Sequence, residues 1–201
     1  MAKRIGKEEI DRFHDYGLHV PTRTIYLGSF SYSEDGGENG VDFAMTERFV
    51  KNMIILGAIS EEPIVIVMNN PGGEWQHGIA IYDAIVDSKC HVTIKVFGMA
   101  MSMGAVIFQA ADERVMAPNA KCMIHYGYSG NAMNHPKIIN NWTEEGKKID
   151  KVMAEIFLNK IREKHPEFKM SKMDKMLDFD TILSAKETVE LGLADKILGE
   201  E

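Results

Sequence analysis

Ile64-Val65-Ile66-Val67-Met68-Asn69-Asn70-Pro71-Gly72-Gly73 decides how the rest of the chain is read. Five consecutive apolar residues, mostly β-branched, have the composition of a strand buried on both faces, and such strands belong to parallel sheets. The run stops at Asn-Asn-Pro-Gly-Gly, a strong turn signal whose adjacent glycines let the backbone approach another group closely. A helix is expected from about Glu74 to Asp87, then a strand from Val92 to Phe97, and the alternation repeats after Gly98. Strand, turn, helix, strand predicts an α/β fold with parallel strands joined by crossover helices.

On the N-terminal side, residues 7–16 suit a short helix, Thr24 to Leu27 a strand, and residues 31–40 (SYSEDGGENG) an exposed acidic loop. A helix is expected from Asp42, with Phe43, Phe49, Val50, Met53 and Ile54 at helical spacing. On the C-terminal side, Cys122-Met123-Ile124 reads as a strand running into His125. Apolar residues from Ile138 to Ile161 recur at helical spacing and predict one long helix over 136–164, ended by His165-Pro166. Ser184-Ala185-Lys186-Glu187 has capping-box spacing for a short helix, and Ala194 to Leu198 suits a last strand. No linker or solenoid repeat divides the 201 residues, so one domain over 1–201 is expected.

The net charge of −7 makes nucleic acid an unsuitable partner, because an acidic surface repels phosphates. No apolar run approaches the roughly 18 residues of a membrane span, and Met1 to Ile10 lacks the apolar stretch of a secretory signal. Cys90 and Cys122 read as small buried residues of a reducing cell, so a cytoplasmic location is expected.

Three places carry candidate chemistry. In Phe97-Gly98-Met99-Ala100-Met101-Ser102-Met103-Gly104-Ala105 a strand passes through small residues into a serine that opens a helix. A serine on such a turn exposes its Oγ beside backbone N–H groups able to stabilise an oxyanion; alternatively it merely caps the helix. Gly73 is a second source of an N–H donor, or part of an ordinary turn. His125, at a strand end before Tyr126-Gly127-Tyr128-Ser129-Gly130, is placed to act as a general base or to serve as a structural histidine, with His77 as a rival. Asp150, Asp174, Asp178 and Asp180 are candidates for the carboxylate that orients such a base, and spacing does not choose among them. No two histidines have His-Glu-x-x-His spacing, so neither a metal nor another cofactor is expected.

Asn-x-Pro-Gly-Gly, Gly-Met-Ala-x-Ser-Met-Gly-Ala, Pro-Asn-Ala-x-x-Met-Ile-His and Leu-Ser-Ala-x-Glu occur in this order. Together they resemble the proteolytic subunit of the Clp protease, from about Val20 to Leu198, as a divergent member. The resemblance implies a crotonase-like spiral of repeated β-β-α units, with an N-terminal segment over 1–19 and a protruding handle helix over 136–164. It aligns Ser102 with the nucleophile, His125 with the base, Asp180 with the triad acid, and Gly73 and Met103 with the oxyanion-hole donors. It implies that an unfolded polypeptide adds as a β-strand along Gly73-Glu74-Trp75 and Tyr126-Gly127-Tyr128-Ser129. It implies homo-oligomers of two stacked seven-subunit rings, a tetradecamer enclosing a chamber. The chain has no Gly-x-x-x-x-Gly-Lys, so ATP dependence would come from a separate unfoldase.

Some positions depart from the family pattern. Tyr126-Gly127 follows the histidine where the family often has Gln-Pro, and the loop 31–40 resembles an insertion. Two residues are missing between Ser102 and His125, near Asp112, which suggests a shortened hairpin. Val65, Val67 and Asp87 stand where the family lines its unfoldase pockets with aromatics, so non-standard docking is expected. The competing readings are a non-catalytic subunit or scaffold, and a crotonase-type acyl-CoA lyase. The lyase could use Glu74 and Asp112 but leaves Ser102 and His125 without a role.

Overall fold

Parallel strands order the sheet, as the apolar runs require. The computed structural model describes residues 6–29, 40–127 and 135–200. The chain enters through α1 (Lys7–Tyr16), β1 (Leu18–His19) and a 3-10 turn at Val20–Thr22, then β2 (Thr24–Gly28). Helix α2 (Phe43–Ile59) leads to β3 (Ile64–Asn70), α3 (Trp75–Val86) to β4 (Val92–Met101), and α4 (Met103–Phe108) to β5 (Glu113–Met116). Strand β6 (Lys121–Ile124) precedes the long helix α5 (Pro136–Lys164), and α6 (Met170–Leu177), β7 (Thr181–Ser184), α7 (Ala185–Leu191) and β8 (Lys196–Ile197) complete the chain.

The sheet runs β1-β2-β3-β4-β5-β8, with β6 beside β4 and β7 beside β6. Strands β2, β3, β4, β5 and β8 pair in parallel, β1 antiparallel to β2. This is a mixed α/β architecture with one long helix, α5, as the sequence implies.

The most consequential irregularity lies in β4. Its register with β3 moves from Met68↔Val96 to Asn70↔Ala100, so β4 carries two extra residues there. Gly98 absorbs the kink at φ +84°, and a Cβ there would lie 2.6 Å from Asn69 Oδ1. Met99 N–H donates to Asn69 Oδ1 at 3.2 Å, which fixes the bend. Before the kink β4 pairs with β5; after it, Met99, Ala100 and Met101 pair with Lys121, Cys122 and Met123 of β6. One strand thus serves two neighbours, and its end is carried to the β6–β7 pair.

The core lies between the sheet and α2, α3, α4 and the C-terminal half of α5. Every residue of α4 is buried, and Met103 packs on Gly78 of α3, where no side chain would fit. Each fully buried side chain of the size of Phe108 or Ile107 contributes about 1.5–3 kcal/mol. Both cysteines are buried and unpaired, and burial pushes the Cys122 thiol up to about 12.

Several expectations need correction. Ile64, Ile66 and Met68 are wholly buried, but Val65 and Val67 are only half-buried, so β3 is covered fully on one face. In α2 the inward face is Met45, Phe49, Met53 and Leu56, while Phe43 and Ile54 are exposed. The turn near Asp112 joins α4 to the parallel strand β5 and is not a hairpin; Asp112 accepts the Val92 N–H at 2.7 Å. The expected last strand shrinks to Lys196–Ile197. Nine of the ten residues of the acidic loop lie outside the described residues.

A buried arginine closes the C-terminal side. Arg114, 4% exposed, donates to both Asp195 oxygens, to Gln109 Oε1 at 2.8 Å and to the Gly192 carbonyl at 3.1 Å. Burial pushes the Asp195 carboxyl up, but the Arg114 hydrogen bonds and charge outweigh it and hold it below the usual range. A carboxyl depressed on folding stabilises the fold above its unfolded value, 3.8, and that contribution fades as pH falls through the lower folded value. Between about pH 5 and about pH 3 the wild-type melting temperature should therefore fall more steeply than that of Asp195→Asn. Parallel curves for the two proteins would show that the pair contributes nothing.

Candidate active site

Three parallel strands end at one edge, and their C-terminal ends supply the candidate groups, as open α/β sheets do. Strand β3 ends in Asn70-Pro71-Gly72-Gly73, β4 in Ser102, and β6 in His125. Asn70 is wholly buried; its Oδ1 accepts the Gly72 N–H at 2.8 Å and its Nδ2 donates to Met45 Sδ at 3.4 Å. The turn is thereby held against the β4–α4 junction. A Cβ on Gly72, at φ +105°, would lie 2.6 Å from Ser102 Cβ. Gly72→Ala is accordingly expected to displace Ser102 and lower kcat by at least ~100-fold. Unchanged turnover in that variant would show that the turn does not position the serine.

Ser102 has φ 52° and ψ −122°, a strained conformation for a residue with a Cβ. Such strain costs about 1–3 kcal/mol and gathers at functional turns. The Ser102 N–H donates to the Met123 carbonyl at 2.8 Å, so β6 holds the turn. Ser102 occupies the N-cap of α4, yet its side chain makes no capping hydrogen bond. Its hydroxyl donates instead to His125 Nε2 at 2.8 Å. With its proton on Nδ1, His125 donates to Asp180 Oδ1 at 2.8 Å. The His125 side chain is 12% exposed and that of Asp180 50%.

Strand pairing explains why Asp180 is the carboxylate at this histidine. Strands β6 and β7 are antiparallel with Ile124 opposite Thr181, so the residue after β6 faces the residue before β7. Asp174 instead accepts the Tyr126 hydroxyl at 2.7 Å, and Asp150 lines the neighbouring cleft on α5. His77 lies toward Glu74, at 3.5 Å, and the edge of the Phe43 ring.

A cleft of about 640 Å³ opens over Ser102 and His125. Gly73, Glu74, Trp75, Met103, Tyr126 and Gly127 line it, with Trp142, Gly146, Ile149, Asp150 and Met153 of α5. The Gly73 and Met103 N–H groups have no hydrogen-bond acceptor among the described residues, which leaves both available to an incoming oxygen. The Glu74 N–H is engaged by the Val41 carbonyl and the Tyr126 N–H by the Leu177 carbonyl, so neither is open to an added strand. Tyr128 and Ser129 lie outside the described residues. Burial first, and the Asp174 hydrogen bond second, push the Tyr126 hydroxyl above its ordinary range. Among the described residues no group of three His, Cys, Asp or Glu side chains could hold a metal.

The sequence model of the Clp protease family matches residues 37–201. The chain belongs to the Clp protease family. It is 31% identical to the ATP-dependent Clp protease proteolytic subunit of Deinococcus radiodurans, over 98% of this chain and 90% of that protein. Membership makes the chain a peptidase of the serine class, a hydrolase. The α5 lining of the cleft had no signal of its own in the sequence, because its stripe reads equally as core. The Asn69 and Asn70 bonds that brace the Clp-family turn were also missed; two adjacent asparagines at the end of a buried strand are the mark that could have found them.

Proposed function

We propose that this chain is a single Clp-protease-like domain acting as a serine endopeptidase on unfolded polypeptides, with Ser102 as nucleophile, His125 as base and Asp180 as the acid that orients it. The hydrogen-bond chain from Asp180 through His125 to Ser102 carries this reading. His125 Nε2 takes the hydroxyl proton as Ser102 Oγ attacks the peptide carbonyl. The negative charge that develops on the carbonyl oxygen is stabilised by the N–H groups of Gly73 and Met103. Collapse of the tetrahedral intermediate breaks the C–N bond, and the leaving amine takes the proton from His125. Water then attacks the acyl-enzyme by the same route, giving its proton to His125, and releases the acid and free Ser102.

Assembly belongs to the same proposal. Helix α5 buries Met153, Ala154, Phe157, Leu158 and Ile161 within the chain, but leaves Ile138, Trp142 and Val152 exposed. Those exposed side chains support contact with another subunit, in homo-oligomers of two stacked heptameric rings. The Deinococcus radiodurans relative is described as ATP-dependent, and we extend to this chain a Clp ATPase partner that unfolds its substrates. Half-buried Val65 and Val67, with exposed Asp87, support docking by means other than aromatic-lined pockets. Proteolysis inside such a chamber fits the cytoplasm. Native mass spectrometry with an unfolded casein digest tests the proposal. A particle of fourteen subunits that cleaves casein is the expected result, and a monomer would remove the chamber.

A further inference from the structure

Five residues of α5 face the candidate cleft: Trp142, Gly146, Ile149, Asp150 and Met153. Their spacing puts them on one stripe of the helix. Gly146 meets nothing within 4 Å of where a Cβ would stand, so the stripe is open at its middle. Trp142, Ile149 and Met153 offer apolar walls. Asp150 is half-buried among them and is their only charge.

That charge has no partner among the described residues. Lys147 pairs with Glu144 at 2.7 Å and Lys151 with Glu155 at 3.9 Å, while the Tyr126 hydroxyl goes to Asp174. Asp150 has no hydrogen bond or ion pair among the described residues, and burial holds its carboxyl above the usual range. Glu74, the other carboxylate lining the cleft, lies toward His77 at 3.5 Å, whereas the unpartnered Asp150 carboxylate among apolar walls suits a long side chain that carries a positive end, the stem on the walls and the cation on the oxygens.

We infer that Asp150 sets a substrate preference for lysine or arginine at the residue whose carbonyl Ser102 attacks. The inference rests on the reading of Ser102 as nucleophile. Asp150 thereby adds a side-chain demand at one substrate position. A peptide lacking the cation leaves the carboxylate desolvated and unpaired, which is where discrimination is strongest.

The test compares fluorogenic peptides that carry lysine, norleucine or glutamate at that position, with the assembled protein at low salt. The wild type should show a lysine-to-norleucine ratio in kcat/KM of at least ~10, with glutamate slowest. In Asp150→Asn the ratio should fall to near one, and in Asp150→Glu it should largely return. Equal turnover of lysine and norleucine peptides by the wild type overturns the inference and leaves the nucleophile standing. A lysine preference that survives in Asp150→Asn overturns it as well. Failure to cleave any of the peptides, with no fluorophosphonate adduct on Ser102, overturns both.

Discussion

Ser102→Ala is expected to lower peptide hydrolysis by roughly 10⁵–10⁶-fold, leaving only what binding and the backbone donors supply. The substitution removes the hydroxyl oxygen that lies 2.8 Å from His125 Nε2, and with it the acyl-enzyme route. Alanine occupies the same volume at the strained turn less one atom, and the Ser102 side chain makes no capping bond to lose. The fold should therefore survive, and circular dichroism with native mass should match the wild type. Single-turnover cleavage of a peptide measures the loss. Activity within tenfold of the wild type would mean that another group attacks the carbonyl.

Asp180→Asn carries the second largest effect, about 10⁴-fold in kcat. Asp180 accepts a proton bond from His125 Nδ1 at 2.8 Å, which leaves Nε2 free to accept from Ser102. An amide can instead donate to Nδ1, and the imidazole then carries its proton on Nε2, facing Ser102 with no acceptor. The carboxylate also stabilises the imidazolium that forms during attack. Asp174→Asn is the matched comparison, because Asp174 holds the Tyr126 hydroxyl and not the histidine. It should cost far less in kcat. Reversal of that order in steady-state kinetics would move the orienting role to Asp174.

The parts of this molecule with local signals were readable without coordinates. Helix α5 runs from Pro136 to Lys164, the expected bounds, because proline opens it, the apolar stripe sustains it and His165-Pro166 stops it. The capping box at Ser184 forms as its spacing implies. Strand β5 was missed: it has four residues, and buried Arg114 interrupts its apolar pattern. Helix α6 was missed too, since only Met173 and Leu177 of its eight residues are buried. Strand β7 shows no buried residue at all.

That last omission explains why spacing left four carboxylates open. Asp180 meets His125 across 55 residues through the β6–β7 register, and nothing local in Asp178-Phe179-Asp180 announces a strand to follow. The likeness to the Clp proteolytic subunit supplied the alignment of Asp180; the pairing of Ile124 with Thr181 supplies a physical cause. The two-residue bulge at Gly98 was equally invisible, because its reason is the Asn69 side chain of a neighbouring strand.

The central claim is that Ser102 is the nucleophile. Reaction of the assembled protein with a fluorophosphonate, followed by intact-mass measurement and peptide mapping, tests it most directly. One adduct per chain, mapped to Ser102 and formed far more slowly in His125→Ala, is the predicted result. An assembled particle that takes up no adduct, or takes it at another residue, would contradict the account.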